Sequence, residues 1–184
     1  MHKRLIQLSG LTAAYLVVCS TALAQQPVFP SHCVAGETVF LSAKMKRATK
    51  NPQGGINFAD TGKVVSLCAD RAKDPIAKLS YRFGPIGKVE MEQVATPTNM
   101  FGTASRQTSP RTGEDIYFFS KGDYTYYVTV AGGMGSGIGL IVYQGNKKIV
   151  DLFSGTDSDT DFQMPWSVTA KATLSTRTLK HAVE

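Results

Sequence analysis

Apolar and polar residues alternate in short runs that recur every eight to twelve positions, with Gly, Pro, Asn or Asp between them. Strands joined by turns give that pattern, because successive side chains of a strand point to opposite faces. The runs fall at 38–44, 63–69, 78–83, 88–94, 101–107, 115–120, 124–131, 138–143 and 148–153, and nothing between 33 and 155 carries an apolar stripe of helical period. An all-β fold is therefore predicted, a single antiparallel sandwich or barrel of about eight to nine strands in meander order. Past Gly155 the chain turns to Asp, Ser and Thr. There Val168, Ala170, Ala172 and Leu174 fit a strand, while Ala170, Leu174, Thr178 and Ala182 share one side of a helix. The pattern leaves that segment, from about 156 onward, open.

The best-marked hairpin spans 78–94, with Leu79, Tyr81 and Phe83 on one face and Gly84-Pro85-Ile86-Gly87 as the turn. Centring the loop on Ile86 sets Phe83 opposite Val89, Tyr81 opposite Met91 and Arg82 opposite Glu90. A second hairpin joins 115–120 to 124–131 through Lys121-Gly122-Asp123, and a third joins 138–143 to 148–153 through Gly145-Asn146. The second hairpin concentrates aromatic area. With a three-residue loop, Phe118, Tyr124 and Tyr126 share a face with Ile116 and Val128, and Tyr117, Phe119 and Tyr127 share the other. One face fills the core; the other is covered by a second layer or presented to a ligand.

Residues 1–24 read as a cleaved secretory signal, with Lys3 and Arg4 at a basic start, an apolar stretch from Leu11 to Cys19, and Ala22-Leu23-Ala24 before the cut. Residues 25–184 then form one β-domain. Export changes the arithmetic. Eighteen Lys and Arg against fourteen Asp and Glu leave residues 25–184 at +4, too mild for a nucleic-acid face. The densest run, Lys44, Lys46, Arg47 and Lys50, lacks interleaved aromatics and reads as a solvated loop. Two cysteines remain, Cys33 and Cys68, and an even set in an exported chain predicts one disulfide.

Candidate chemistry is sparse. Two histidines remain after the signal, His32 and His181, and both read as peripheral. Gly132 to Gly139 matches neither the dinucleotide glycine loop, which needs a helix after it, nor the nucleophile elbow around Ser136, because Met134 and Ile138 stand where glycines belong. It reads as a flexible hairpin loop whose backbone, at Gly135 and Ser136, is open to a partner. Asp157, Asp159 and Asp161 alternate like the first ligands of a calcium loop, but Phe162 and Val168 replace its Gly and closing Glu. Glu90 and Glu92 are the one carboxylate pair that the pattern places on a common face.

Lys63-Val64-Val65-Ser66-Leu67-Cys68-Ala69, then Leu79-Ser80-Tyr81-Arg82-Phe83-Gly84 and Gly87-Lys88-Val89-Glu90, resemble a group of small uncharacterised bacterial envelope proteins over about 33–153. Members of that group carry another Cys where this chain has Phe40-Leu41-Ser42, and no activity comes with the resemblance. Phe118-Phe119-Ser120-Lys121-Gly122 is similar to the strand end of the small β-barrel inhibitors of lysozyme, which implies a Lys121 that probes an enzyme cleft. Ser109 departs from that family's pattern, since Pro110 follows it. The positive charge also opposes a cationic lysozyme unless an acidic patch such as Asp157 to Asp161 offsets it.

The expectation is a periplasmic or secreted bacterial protein without catalytic residues, cofactor, nucleic-acid partner or membrane span. It would bind another protein, as an inhibitor or immunity-type protein against a secreted or cell-wall-directed enzyme, through Lys121, Tyr117, Phe119, Tyr127, Gly135 and Ser136. The alternative is a carrier of a small apolar ligand, with Tyr117, Phe119 and Tyr127 lining its cavity.

Overall fold

The structure, a computed structural model, describes residues 29–72, 75–133, 135–155, 162–163, 165 and 173–183. Residues 1–24, expected to be a secretory signal, Met134, the alternating Asp157, Asp159 and Asp161, and Val168, Ala170 and Ala172 lie outside them. The strands are β1 (Thr38–Lys50), β2 (Ile56–Ala69), β3 (Leu79–Gly84), β4 (Met91–Ala95), β5 (Phe101–Ser109), β6 (Thr112–Lys121), β7 (Tyr124–Gly133), β8 (Gly137–Gln144), β9 (Lys147–Phe153), β10 (Phe162–Gln163) and β11 (Leu174–Thr176). All nine predicted runs are strands. The strand count is higher than expected because β10 and β11 come from the segment that the pattern leaves open.

Ten strands follow one another in the order β11-β5-β6-β7-β8-β9-β1-β2-β3-β4, with β10 added to β1, and the sheet curls into a nearly closed barrel. Two meanders, β1 to β4 and β5 to β9, are thus joined through β9 and β1, where Lys46 pairs with Phe153. The opening lies between β4 and the β11-β5 edge. Every pairing is antiparallel except that of β11 with β5. The fold is therefore not a pure antiparallel meander.

Two registers differ from the sequence reading, for local reasons. Lys88 N–H donates to the Pro85 carbonyl and Glu90 N–H to the Phe83 carbonyl, so the first loop extends through Glu90 and β4 starts at Met91. Phe83 then faces Met91, Arg82 faces Glu92 and Tyr81 faces Gln93. A slip of two residues keeps every side chain on its face, so cation still meets carboxylate. At the second hairpin Lys121 pairs with Tyr124, leaving a two-residue turn, Gly122-Asp123, instead of three residues. One residue fewer swaps the faces. Phe118 is paired with Tyr127 and Phe119 with Tyr126, so Tyr117 and Phe119 do not share a face with Tyr127.

The inner face is filled by Phe40, Leu41, Met45, Val65, Leu67, Leu79, Tyr81, Phe101, Tyr117, Phe119, Val128 and Leu140. Phe119 stacks on Phe101 and on Tyr126 at 4.9 Å, with Tyr81 edge-on at 5.0 Å. Side chains of this size occupy the middle of a small barrel.

Segments before β1 and after β11 cover parts of the outer surface. Over β1 to β3, the segment before β1 is pinned by the Cys33–Cys68 disulfide, whose Cα atoms are 5.3 Å apart. His32 N–H donates to Ser66 Oγ, and Ser42 Oγ donates to the Pro30 carbonyl at 2.8 Å. Arg82, on the same outer face, forks onto Glu37 and donates through Nε to Glu92 at 2.8 Å. Over β6 to β8, Ile116, Phe118, Tyr127 and Ile141 are sealed by Val183 with Leu179.

Candidate functional site

Lys121 ends β6 at the two-residue turn, exposed, with Nζ 4.0 Å from Met91 Sδ on β4. That contact reaches across the opening of the barrel. Beside it a cleft of about 250 Å³ is lined by Gln93, Met100, Phe101, Phe118, Phe119, Ser120 and Arg177. Phe118 and Phe119, adjacent residues of β6 that turn opposite ways, both reach this cleft alongside polar Gln93, Asn99, Ser120 and Arg177. Two cations, Lys121 and Arg177, stand at this end.

Gly135 and Ser136 lie elsewhere. They belong to the turn between β7 and β8, at the far end of a β7 that is 10 residues long, so about 30 Å of strand separates them from Lys121. The sequence reading joins Lys121 and this loop in one surface; the topology separates them. The glycines that flank the turn have packing duties. Gly133 has φ +89°, and a Cβ there would collide with the Arg111 carbonyl. A Cβ on Gly137 would collide with the Phe153 ring. Ser136 Oγ donates to the Gly133 carbonyl at 2.7 Å, which closes the turn locally. A larger cleft of about 370 Å³ adjoins this end, lined by Ser105, Arg106, Gly113, Glu114, Asp115, Val130, Gly132 and Pro165.

The aromatic trio is likewise divided. Tyr117 and Phe119, 8% and 9% exposed, belong to the barrel interior, and Phe119 also reaches the Lys121 cleft. Tyr127, fully buried, belongs to the outer cluster beneath the C-terminal segment. Burial pushes the Tyr117 and Tyr127 hydroxyls up from their ordinary range, so they stay neutral at physiological pH.

The segment over Tyr127 has no sequence signature of its own. His181 Nδ1 meets Tyr127 Oη at 2.9 Å, its Nε2 meets the Gly145 carbonyl at 2.8 Å, and its ring stacks on Tyr143 at 4.1 Å. Tyr143 donates to the Ala182 carbonyl, and Arg106 donates to that of Val183. His32, read as peripheral, is buried, with Nε2 2.9 Å from the Gly84 carbonyl. Both histidine rings are thus engaged with backbone or tyrosine, and among the described residues neither has a carboxylate partner. Ser105 Oγ donates to Asp115 at 2.6 Å with no histidine beside them among the described residues. Glu90 and Glu92, the paired carboxylates, are bound separately by Lys63 and Arg82. Cys33, Glu37 and Cys68 come close enough to suggest a metal site. Oxidation of the two thiols to a disulfide removes the thiolates such a site needs.

A disulfide is compatible with an oxidising, exported location. Among the described residues no helix is long and apolar enough to cross a membrane. No protein-family description, curated protein or solved structure matches the chain.

Proposed function

We propose that this is a non-enzymatic, exported protein-binding module, in the manner of an inhibitor or immunity-type protein against a secreted or cell-wall-directed enzyme. The observation that carries the reading is the packing of the barrel. Its axis is occupied by Tyr81, Phe101, Tyr117 and Phe119, so the surface is where contact chemistry is available. The two engaged histidines and the separately paired Glu90 and Glu92 support the non-enzymatic part.

The partner surface in this reading is the Lys121 end. It offers an exposed cation, the mixed polar and aromatic cleft beside it and the open edge of β4, a combination suited to an acidic, partly extended segment of another protein. The carrier reading draws no support from the interior, where aromatic rings fill the space a ligand would take. Capture from an envelope fraction by immobilised protein is the test. A partner retained by the wild type and lost with Lys121→Glu is expected. Equal capture by both, or no retained partner, would contradict the assignment.

A further inference from the structure

The cationic run that reads as a solvated loop is a β-arm. Beyond the barrel, the second half of β1 and the first half of β2 continue as a two-stranded ribbon, with Lys46 opposite Asp60, Ala48 opposite Phe58 and Lys50 opposite Ile56. Residues 47–50 and 52–60 are exposed along its length. The tip is structured. Asn51 Oδ1 accepts from Gln53 N–H and Gly55 N–H, and Asn51 N–H donates to the Gly55 carbonyl. Directly opposed residues of a ribbon share a face, so Lys46, Lys50, Ile56 and Phe58 stand together on one side, with Asp60 at its base.

Three properties coincide on this arm. Residues 46–60 contain three cations and one acid, +2, half of the surplus of residues 25–184, and Lys44 and Lys63 flank the base, where Lys63 pairs with Glu90. Ile56 and Phe58 are 61% and 39% exposed, so apolar groups stand among those cations. Among the described residues, Arg47 and Lys50 make no ion pair. A structured projection with basic and apolar groups interleaved fits an anionic lipid surface: the cations sit at the phosphates while the apolar side chains enter the acyl boundary. A protein partner fits less well. Two apolar side chains on a narrow ribbon make a small patch beside the roughly 800 Å² per side of a stable protein interface. A diffuse charged surface instead accumulates many weak contacts without needing a matching pocket.

We infer that the β1–β2 arm is a membrane-surface contact, which holds the protein against anionic lipid headgroups while the opening near Lys121 remains available. This inference stands apart from the proposed protein partner. The test is co-sedimentation of the purified protein with vesicles of phosphatidylcholine alone and of phosphatidylcholine mixed with phosphatidylglycerol. Binding is expected only with the mixed vesicles and is expected to fall as salt is raised. Arg47→Glu with Lys50→Glu should weaken it about tenfold or more, and Ile56→Asn with Phe58→Asn should weaken it at unchanged net charge. Reversal of Arg71 and Lys180, which lie off the arm, should weaken it far less. Because Phe58 also touches Phe153 of β9, its ring centroid 6.2 Å away, an unchanged circular dichroism spectrum is required of each variant as the check that it is folded. No binding, equal binding to both vesicle types, or equal loss from the Arg71 and Lys180 reversals would overturn the inference.

Discussion

Tyr81 shows how one side chain serves packing and polarity unequally. Its ring holds the middle of the barrel against Phe119 and Tyr126, yet its hydroxyl has no hydrogen-bond partner among the described residues. An unsatisfied buried hydroxyl costs about 1–3 kcal/mol, whereas loss of the ring leaves a cavity costing about 3–5 kcal/mol. Tyr81→Phe should therefore leave the urea midpoint unchanged or raise it, and Tyr81→Ala should lower it sharply. Glu37 supplies the opposite case. The hydrogen bond from Arg82 holds its carboxyl below the ordinary value of 4.5, against the cost of burial. Its ionised form then favours folding; that contribution is complete above the unfolded value and is lost as pH falls through the lower folded one. Glu37→Gln should cost about 1–2 kcal/mol at neutral pH. The difference from the wild type should shrink as denaturation is followed below pH 4.5.

At the scale of elements, the segments flanking the strands cover faces that the sheet leaves unfinished. The Cys33–Cys68 bond closes a loop with sequence separation 35, worth about 4 kcal/mol by chain entropy. Cys33→Ala with Cys68→Ala should lower stability by about that amount in chemical denaturation. On the other side, Val183 is 1% exposed over Tyr127 and Phe118. Val183→Ser should cost about 2 kcal/mol and raise the hydrogen exchange of residues 177–183. Strand positions are legible in the sequence because period-two alternation is local, and the disulfide because the cysteines after residue 24 form an even pair. The hairpin faces are not, since a turn of two or three residues at Gly122 decides which aromatics meet. Nor is the cover formed by His181 and Val183, whose contacts reach 54 and 77 residues back along the chain. The basic arm is hidden for a third reason: Lys, Asn and Gly have weak strand propensity, and cross-strand pairing overrides it.

For the whole molecule, a nearly closed barrel with a filled axis leaves the outside for the contact proposed here, and it also separates features that look adjacent in one dimension. Lys121 and Gly135 stand at opposite ends of β7, and half of the net positive charge of residues 25–184 lies on an arm distinct from both. Shortening the 134–136 turn should accordingly leave capture of a partner by the Lys121 end unchanged, while Lys121→Glu abolishes it. With the interior packed, the activity proposed for the molecule is contact. Native mass spectrometry of the protein purified from its own cells separates contact from carriage. A mass equal to the processed polypeptide with one disulfide, alone or with a saturable protein partner, is expected; a stoichiometric small apolar molecule retained within the barrel would contradict it.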